Sequence, residues 1–306
     1  MWLNRDVISV LDFSKEELLD LFNKAKQIES LRENSFGSLK GKVLATAFFE
    51  PSTRTRLSFQ AAMLRLGGAT LDLGEPSVSS LAKGENISDT VRMLDYYSDV
   101  IVIRHKLEGV SRYAAEICEH PVINAGEGTK EHPTQTMIDL YEVWKTFKSL
   151  ENLTYAIVGD VKHARTISSL ILSFSIFKPK KVYLISPLEL RAKEKIKSFM
   201  ESNGILYEEL TTLSEILEEA DVFYVTRIQK ERFSDPYEYE KVKGSYVITL
   251  EHTKKMKEGA IILHPLPRVD ELSPKVDNTK NAAYFSQARG GLYLRMALLR
   301  AILTGE

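Results

Sequence analysis

Short, continuous apolar runs recur between helical patterns along nearly the whole chain: Val43 to Phe49, Val100 to Ile103, Leu153 to Val158, Lys181 to Ile185, Val222 to Val225 and Ala260 to Leu263. A strand with one wet face would alternate apolar and polar residues, whereas an unbroken run needs both faces covered. Strands of that kind, separated by helices, build doubly wound parallel sheets, so the expected fold class is α/β. At 306 residues, and roughly 100 to 200 residues per domain, two doubly wound domains are expected, each a mainly parallel sheet flanked by helices. Thr134 to Ser149 carries Met137, Leu140, Tyr141, Trp144 and Phe147 at helical spacing, and Leu292 to Leu303 forms a second apolar-striped helix. These long helices are read as the joins, the second returning the chain to the first domain. The predicted division is 1–134 plus 291–306 for one domain and 135–290 for the other.

Charge narrows the partners. Lys+Arg (41) nearly balance Asp+Glu (42), so no global field recruits nucleic acid or an anionic membrane, and anion binding must come from local clusters. No apolar run approaches the roughly 18 residues of a membrane span, and Met1 to Val10 lacks a signal layout. A cytoplasmic protein is expected. The single cysteine, Cys118, excludes an internal disulfide and a multi-cysteine metal site within one chain, and is read as a small core residue.

Ligands of parallel sheets gather at the carboxyl ends of strands, and there the polar residues cluster. Ser52, Thr53, Arg54, Thr55 and Arg56 follow the first run and open a helix. Hydroxyls, guanidinium groups and the free N–H groups of a helix start suit a phosphate. An ordinary N-cap at Ser52 or Thr53 is the plainer use of such a sequence, but the helix dipole disfavours two arginines in a first turn, which argues for an anion. Arg104 and His105 end the next run, and His132 and Gln135 precede or enter the long joining helix. In the second half Gly159-Asp160, Arg165, Thr226-Arg227-Ile228-Gln229 and His264-Pro265-Leu266-Pro267-Arg268 leave strand ends. The prolines of the last group remove N–H donors and leave carbonyls that accept from an amide. Gly159 lacks the spacing of a dinucleotide fingerprint, which argues against an NAD site. Ser79, Ser80, Leu81, Ala82, Lys83 and Gly84 read as an exposed loop.

These motifs occur in the order found in a known family. The chain resembles the catalytic subunits of aspartate carbamoyltransferases, within the carbamoyltransferase superfamily, on Phe48-Phe49-Glu50-Pro51-Ser52-Thr53-Arg54-Thr55-Arg56, Lys83-Gly84-Glu85, His132-Pro133-Thr134-Gln135, Arg165, Thr226 to Arg232 and His264-Pro265-Leu266-Pro267. The Ser-Thr-Arg-Thr-Arg and His-Pro-x-Gln motifs are shared by the superfamily and imply carbamoyl phosphate. Arg227-x-Gln229 resembles the aspartate branch, and Pro265 stands where the ornithine branch has cysteine. Arg165 and Arg227 also offer two planar forks to a dicarboxylate acceptor.

The resemblance implies transfer of the carbamoyl group to L-aspartate, early in pyrimidine biosynthesis, without cofactor or metal. It assigns Ser52, Thr53, Arg54 and Thr55 to the phosphate, and Arg104, His132 and Thr55 to the carbonyl oxygen. Gln135 with the Leu266 and Pro267 carbonyls falls to the carbamoyl amide, and Lys83, Arg165, Arg227 and Gln229 to aspartate. It further implies that Lys83 and Ser79 reach a neighbouring subunit's site, making a homotrimer the active unit, and that Glu50 bridges Arg165 and Arg232 on closure. Ser80 is the other candidate beside Ser79, and spacing to Lys83 favours Ser79. Family members occur alone or with a separate zinc-bearing regulatory chain; with one cysteine here, such a zinc would belong to that partner. The rival readings are an ornithine or other amine transcarbamoylase and a non-catalytic anion-binding homologue.

Overall fold

The computed structural model describes residues 2–31, 37–74, 84–230, 233 and 235–306. The chain forms two compact units, Met1–Ile138 with Arg289–Glu306, and Asp139–Ala288. Each contains a wholly parallel sheet, so the doubly wound α/β class holds in both.

The first unit begins with helix α1 (Lys15–Leu31). It continues through β1 (Val43–Phe48), α2 (Thr53–Arg65), β2 (Ala69–Asp72), α3 (Ile87–Tyr97), β3 (Val100–His105), α4 (Val110–Ile117), β4 (Val122–Glu127) and the start of α5 (Pro133–Phe147). Its strand order is β2-β1-β3-β4, with Leu44 opposite Val100 and Ile101 opposite Val122. Ala45, Ala47, Ile101 and Ile103 pack with Val91 and Leu94 of α3 and Ala114 of α4. Fully burying each aliphatic side chain of valine or leucine size contributes roughly 1.5–3 kcal/mol. The β4 edge is covered by the N-terminal segment, where Val7 N–H donates to the Val122 carbonyl at 2.9 Å and Asn124 N–H to the Val7 carbonyl at 2.8 Å. That pairing closes an edge which would otherwise present unmatched backbone groups.

The second unit takes the rest of α5, then β5 (Thr154–Val158), α6 (Arg165–Ser173), β6 (Lys181–Ile185), α7 (Glu194–Ser202), β7 (Tyr207–Leu210), β8 (Val222–Val225), α8 (Pro236–Val242), α9 (Leu250–Lys255), β9 (Ile261–Leu263) and the start of α10 (Tyr284–Thr304). The order is β7-β6-β5-β8-β9. Ala156, Val158, Phe223, Val225 and Ile262 share a core with Leu217, Ile248, Leu272 and Tyr284. Both crossings between units fall inside helices, α5 and α10. No helix among the described residues is long and apolar enough to cross a membrane.

In each sheet the chain winds outward one way from its first strand and then restarts on that strand's other side. The reversal lies between β1 and β3 in one unit and between β5 and β8 in the other. At such a point consecutive crossovers leave in opposite directions and open a crevice beyond the carboxyl ends of the two strands.

Helix α10 starts at Tyr284, well before the predicted Leu292. Gly290-Gly291 obscured this start, because glycine is a poor helix former. Gly291 is needed for packing: a Cβ there would lie 2.8 Å from Ile138 Cδ1.

Candidate active site

At the first reversal, Phe48 of β1 pairs with Arg104 of β3, so the Ser52–Thr55 segment and Arg104 leave neighbouring strand ends. Ser52 takes the N-cap position of α2 in extended geometry, yet its hydroxyl makes no capping hydrogen bond. Thr53 and Arg54 are exposed, and Thr55 is buried. Arg56 instead faces Asp72 on β2, 3.5 Å away. Arg104 Nη1 donates to the Ala125 carbonyl at 3.2 Å, and its Nε lies 3.5 Å from Glu50 Oε2. His105 Nδ1 accepts from Leu107 N–H at 2.9 Å, its ring meets Phe49 edge-on, and burial pushes its pKa below the ordinary value.

Beyond β4 a tight turn brings the chain to His132. Glu127 N–H donates to the Glu131 carbonyl at 3.1 Å, and the His132 carbonyl then accepts from Gln135 and Thr136 at 3.0 and 3.2 Å, starting α5. The His132 ring is buried and Gln135 half-buried. Glu131, the residue before, is pinned from the N-terminus: its Oε2 accepts from Ser9 Oγ at 2.8 Å and Val10 N–H at 3.3 Å. Burial raises the Glu131 pKa against these hydrogen bonds. Ser52–Thr55 and His132 with Gln135 thus follow the ends of β1 and β4, and Arg104 lies at the end of β3 between them in the sheet.

The second reversal is built around Gly159 and Asp160. Gly159 has φ 119°, and a Cβ on it would come within 2.1 Å of the Thr226 carbonyl oxygen, so glycine serves close packing of two strand ends. Asp160, fully buried, uses one carboxylate oxygen to accept from His163 N–H at 3.0 Å and the other to accept from Gln229 N–H at 3.4 Å. Its own N–H donates to Thr226 Oγ1 at 3.3 Å. Asp160 therefore ties the Arg227–Gln229 segment to the start of α6, where Arg165 is the first helical residue and is buried. Arg227 lines a cleft of about 60 Å³ with Gly159, Tyr239, Lys243 and Glu271. After β9, Leu266 adopts φ 56° and is joined to Pro267 by a cis peptide bond.

The structure thus places Ser52, Thr53, Arg54, Thr55, Glu50, Arg104, His132 and Gln135 in the first unit and Arg165, Arg227, Gln229, Leu266 and Pro267 in the second. Ser79, Lys83 and Arg232 lie outside the described residues. Sequence reasoning gave no role to Asp160; its only signal was an acidic residue directly after the glycine that ends an apolar run. Cys118 is half-buried, and burial pushes its thiol up to about 12.

Comparisons with known proteins cover both units. Residues 5–145 match the family described as aspartate/ornithine carbamoyltransferase, carbamoyl-P binding domain, and residues 151–302 match its Asp/Orn binding domain. The chain is 59% identical over 302 residues to the aspartate carbamoyltransferase catalytic subunit of Thermofilum pendens, covering 98% of this chain and 96% of that protein. It is 52% identical to that of Pyrobaculum islandicum, covering 99% of each. Among solved structures, aspartate transcarbamoylase from Trypanosoma cruzi in complex with N-(phosphonacetyl)-L-aspartic acid superposes with a TM-score of 0.93 at 35% identity, covering 99% of this chain and 97% of that one. The catalytic subunit of M. jannaschii aspartate transcarbamoylase gives a TM-score of 0.88 at 45% identity, covering 97% of each chain. With both domain families matched and full-length identity of this order, the chain belongs to the aspartate/ornithine carbamoyltransferase family.

Proposed function

We propose that the chain transfers the carbamoyl group of carbamoyl phosphate to the amine of L-aspartate, giving N-carbamoyl-L-aspartate and phosphate, an early step of pyrimidine biosynthesis in the cytoplasm. The observation that carries this reading is the pair of cationic sites at the two chain reversals: Ser52–Thr55 with Arg104 beyond β1 and β3, Arg165 with Arg227 beyond β5 and β8. The names of the relatives, aspartate carbamoyltransferase catalytic subunits, agree with the choice of acceptor.

In this reading the amine lone pair attacks the carbonyl carbon, the carbonyl oxygen becomes an oxyanion, and the carbon–oxygen bond to phosphate then breaks. The departing phosphate takes the amine proton. The mixed anhydride is already activated, so the protein's task is placement, which supplies roughly 7–11 kcal/mol, and oxyanion donors, at about 2.7–4 kcal/mol each. Ser52, Thr53, Arg54 and Thr55 hold the phosphate, and Thr55, Arg104 and His132 donate to the carbonyl oxygen. Gln135 and the Leu266 and Pro267 carbonyls take the carbamoyl amide, while Arg165, Arg227 and Gln229 take the aspartate carboxylates. Residues 1–134 with 291–306 form the carbamoyl phosphate-binding domain and 135–290 the aspartate-binding domain, the latter also supplying Gln135, Leu266 and Pro267 to the carbamoyl amide.

The reading also includes Ser79 and Lys83 contributed by a neighbouring subunit of a homotrimer, with Lys83 serving aspartate as well. Closure is held by Glu50 with Arg165 and Arg232, and a separate regulatory chain is compatible with the assembly. The direct test is an acceptor screen: carbamoyl phosphate with the purified chain and a panel of amines, following phosphate and ureido product. Aspartate-dependent release is expected; release with ornithine alone, or with no amine, overturns the assignment.

A further inference from the structure

Leucine rarely adopts the left-handed conformation seen at Leu266, φ 56°, because its Cβ crowds the backbone there. Such a residue persists where its surroundings over-determine it, and buried groups outside the proposed substrate contacts do so here. His264 is nearly inaccessible, 2% exposed, and its Nδ1 accepts from the Leu266 N–H at 2.8 Å. The imidazole proton must then sit on Nε2, which faces Glu271 Oε1 at 2.7 Å and donates to it. Glu271, itself buried, is fixed in turn by Val269 N–H at 3.2 Å and Asp270 N–H at 3.1 Å. From the other side, Gln287 Oε1 accepts from His264 N–H at 2.9 Å, while Gln287 Nε2 donates to Asp139 Oδ1 at 2.5 Å. Asp139 Oδ2 accepts from Tyr224 at 2.8 Å. Every one of these groups lies in the second unit.

We propose that His264 is a positioning residue for carbamoyl transfer: its Nδ1 fixes the Leu266–Pro267 carbonyls that receive the carbamoyl amide, and Glu271 enforces the tautomer that makes Nδ1 an acceptor. The proposal rests on the assignment of those carbonyls to the amide. Glu271 is suited to the task because, although burial opposes its ionisation, the His264 and backbone hydrogen bonds hold its carboxyl below the ordinary range. An ionised carboxylate accepts and cannot donate, so it admits only the Nε2–H form of a neutral imidazole.

Two substitutions separate positioning from mere packing. In His264→Asn the Oδ1 atom replaces Nδ1 as acceptor for Leu266 N–H, whereas in His264→Gln the amide nitrogen replaces Nε2 as donor to Glu271 and the acceptor is lost. Titration with carbamoyl phosphate and with inorganic phosphate, without aspartate, reads the difference. His264→Gln should weaken carbamoyl phosphate binding about tenfold to a hundredfold, His264→Asn by less than about threefold, and neither should change phosphate affinity. Equal losses in both variants, or no loss in either, overturn the proposal. If a variant does not fold, the nitrogen-15 spectrum of the unsubstituted protein decides: His264 should show a bare Nδ1 and a protonated Nε2, and the opposite tautomer or an imidazolium refutes it. Should the unsubstituted chain bind carbamoyl phosphate no better than phosphate, the assignment of the amide contacts fails first, a result distinct from any difference between variants.

Discussion

Gly159 and Thr226 approach so closely that a single added carbon on Gly159 would stand 2.1 Å from the Thr226 carbonyl oxygen. The same glycine has φ 119°, so alanine there meets both a backbone penalty and a backbone collision. Gly159→Ala should destabilise the second unit by more than about 2 kcal/mol and raise the aspartate KM by spreading the ends of β5 and β8. A denaturant midpoint indistinguishable from that of the parent chain would contradict the packing role.

His132 is assigned as a donor to the carbonyl oxygen. His132→Gln keeps an N–H donor but misplaces it, so a kcat loss of about 100-fold is expected with the shape of the pH–rate profile retained. Disappearance of the acid-side limb, along which a required base loses activity by protonation, would recast His132 as a general base.

Glu131 offers a pH test of stability. Its pKa is raised in the folded chain, chiefly by burial, so the folded state holds the proton more tightly than the unfolded one. The stability linked to that proton is complete below the unfolded pKa and is lost as pH rises through the folded one. Glu131→Gln keeps an acceptor for Ser9 Oγ while removing the buried charge, and should raise the melting midpoint at neutral pH, with the gain shrinking in acid. A melting difference independent of pH would argue against a buried ionisation.

Glu50 faces Arg104 at 3.5 Å and is also the proposed closure residue toward Arg165 and Arg232. Glu50→Ala distinguishes the two roles. A rise of about tenfold in the aspartate KM, with carbamoyl phosphate binding little changed, supports closure; equal effects on both substrates assign Glu50 to holding Arg104.

Shared sites are tested by mixing. Lys83→Gln and Arg54→Ala chains should each be inactive, and subunit exchange between them should restore activity, because some mixed assemblies unite an intact Lys83 with an intact Arg54. Exchange without recovery, once mixed assemblies are verified by mass, removes the trimeric site.

The continuous apolar runs made β1, β5, β6 and β8 legible because both faces of those strands are buried, leaving no polar alternation to confuse them. β2 and β7 escaped for the opposite reason: Ala69–Asp72 and Tyr207–Leu210 are short edge strands with no fully buried residue, the first largely exposed and the second largely half-buried. β4 escaped although it is buried throughout, because Asn124 and Glu127 look like surface residues in isolation. Their polarity is satisfied at a distance, Asn124 Nδ2 by the Ile8 carbonyl at 3.0 Å and Glu127 by Ser111 N–H at 3.3 Å. The site shows the same divide. Residues expected to touch substrate sit at strand ends, where order along the chain reports position, whereas Asp160, Glu271 and Gln287 act through folded neighbours that no local pattern reveals.

In each sheet the chain reverses direction at its own first strand, and each reversal carries one set of the residues proposed to bind substrate. The carbamoyl-P and Asp/Orn binding domain matches, residues 5–145 and 151–302, are separate stretches of backbone, each with its own core. An evolutionary lineage can rewrite the loops after β5 and β8 to accept a different amine while leaving the chemistry of the activated donor untouched. The ancestry of such an enzyme should then be read from its first half and its choice of partner molecule from its second.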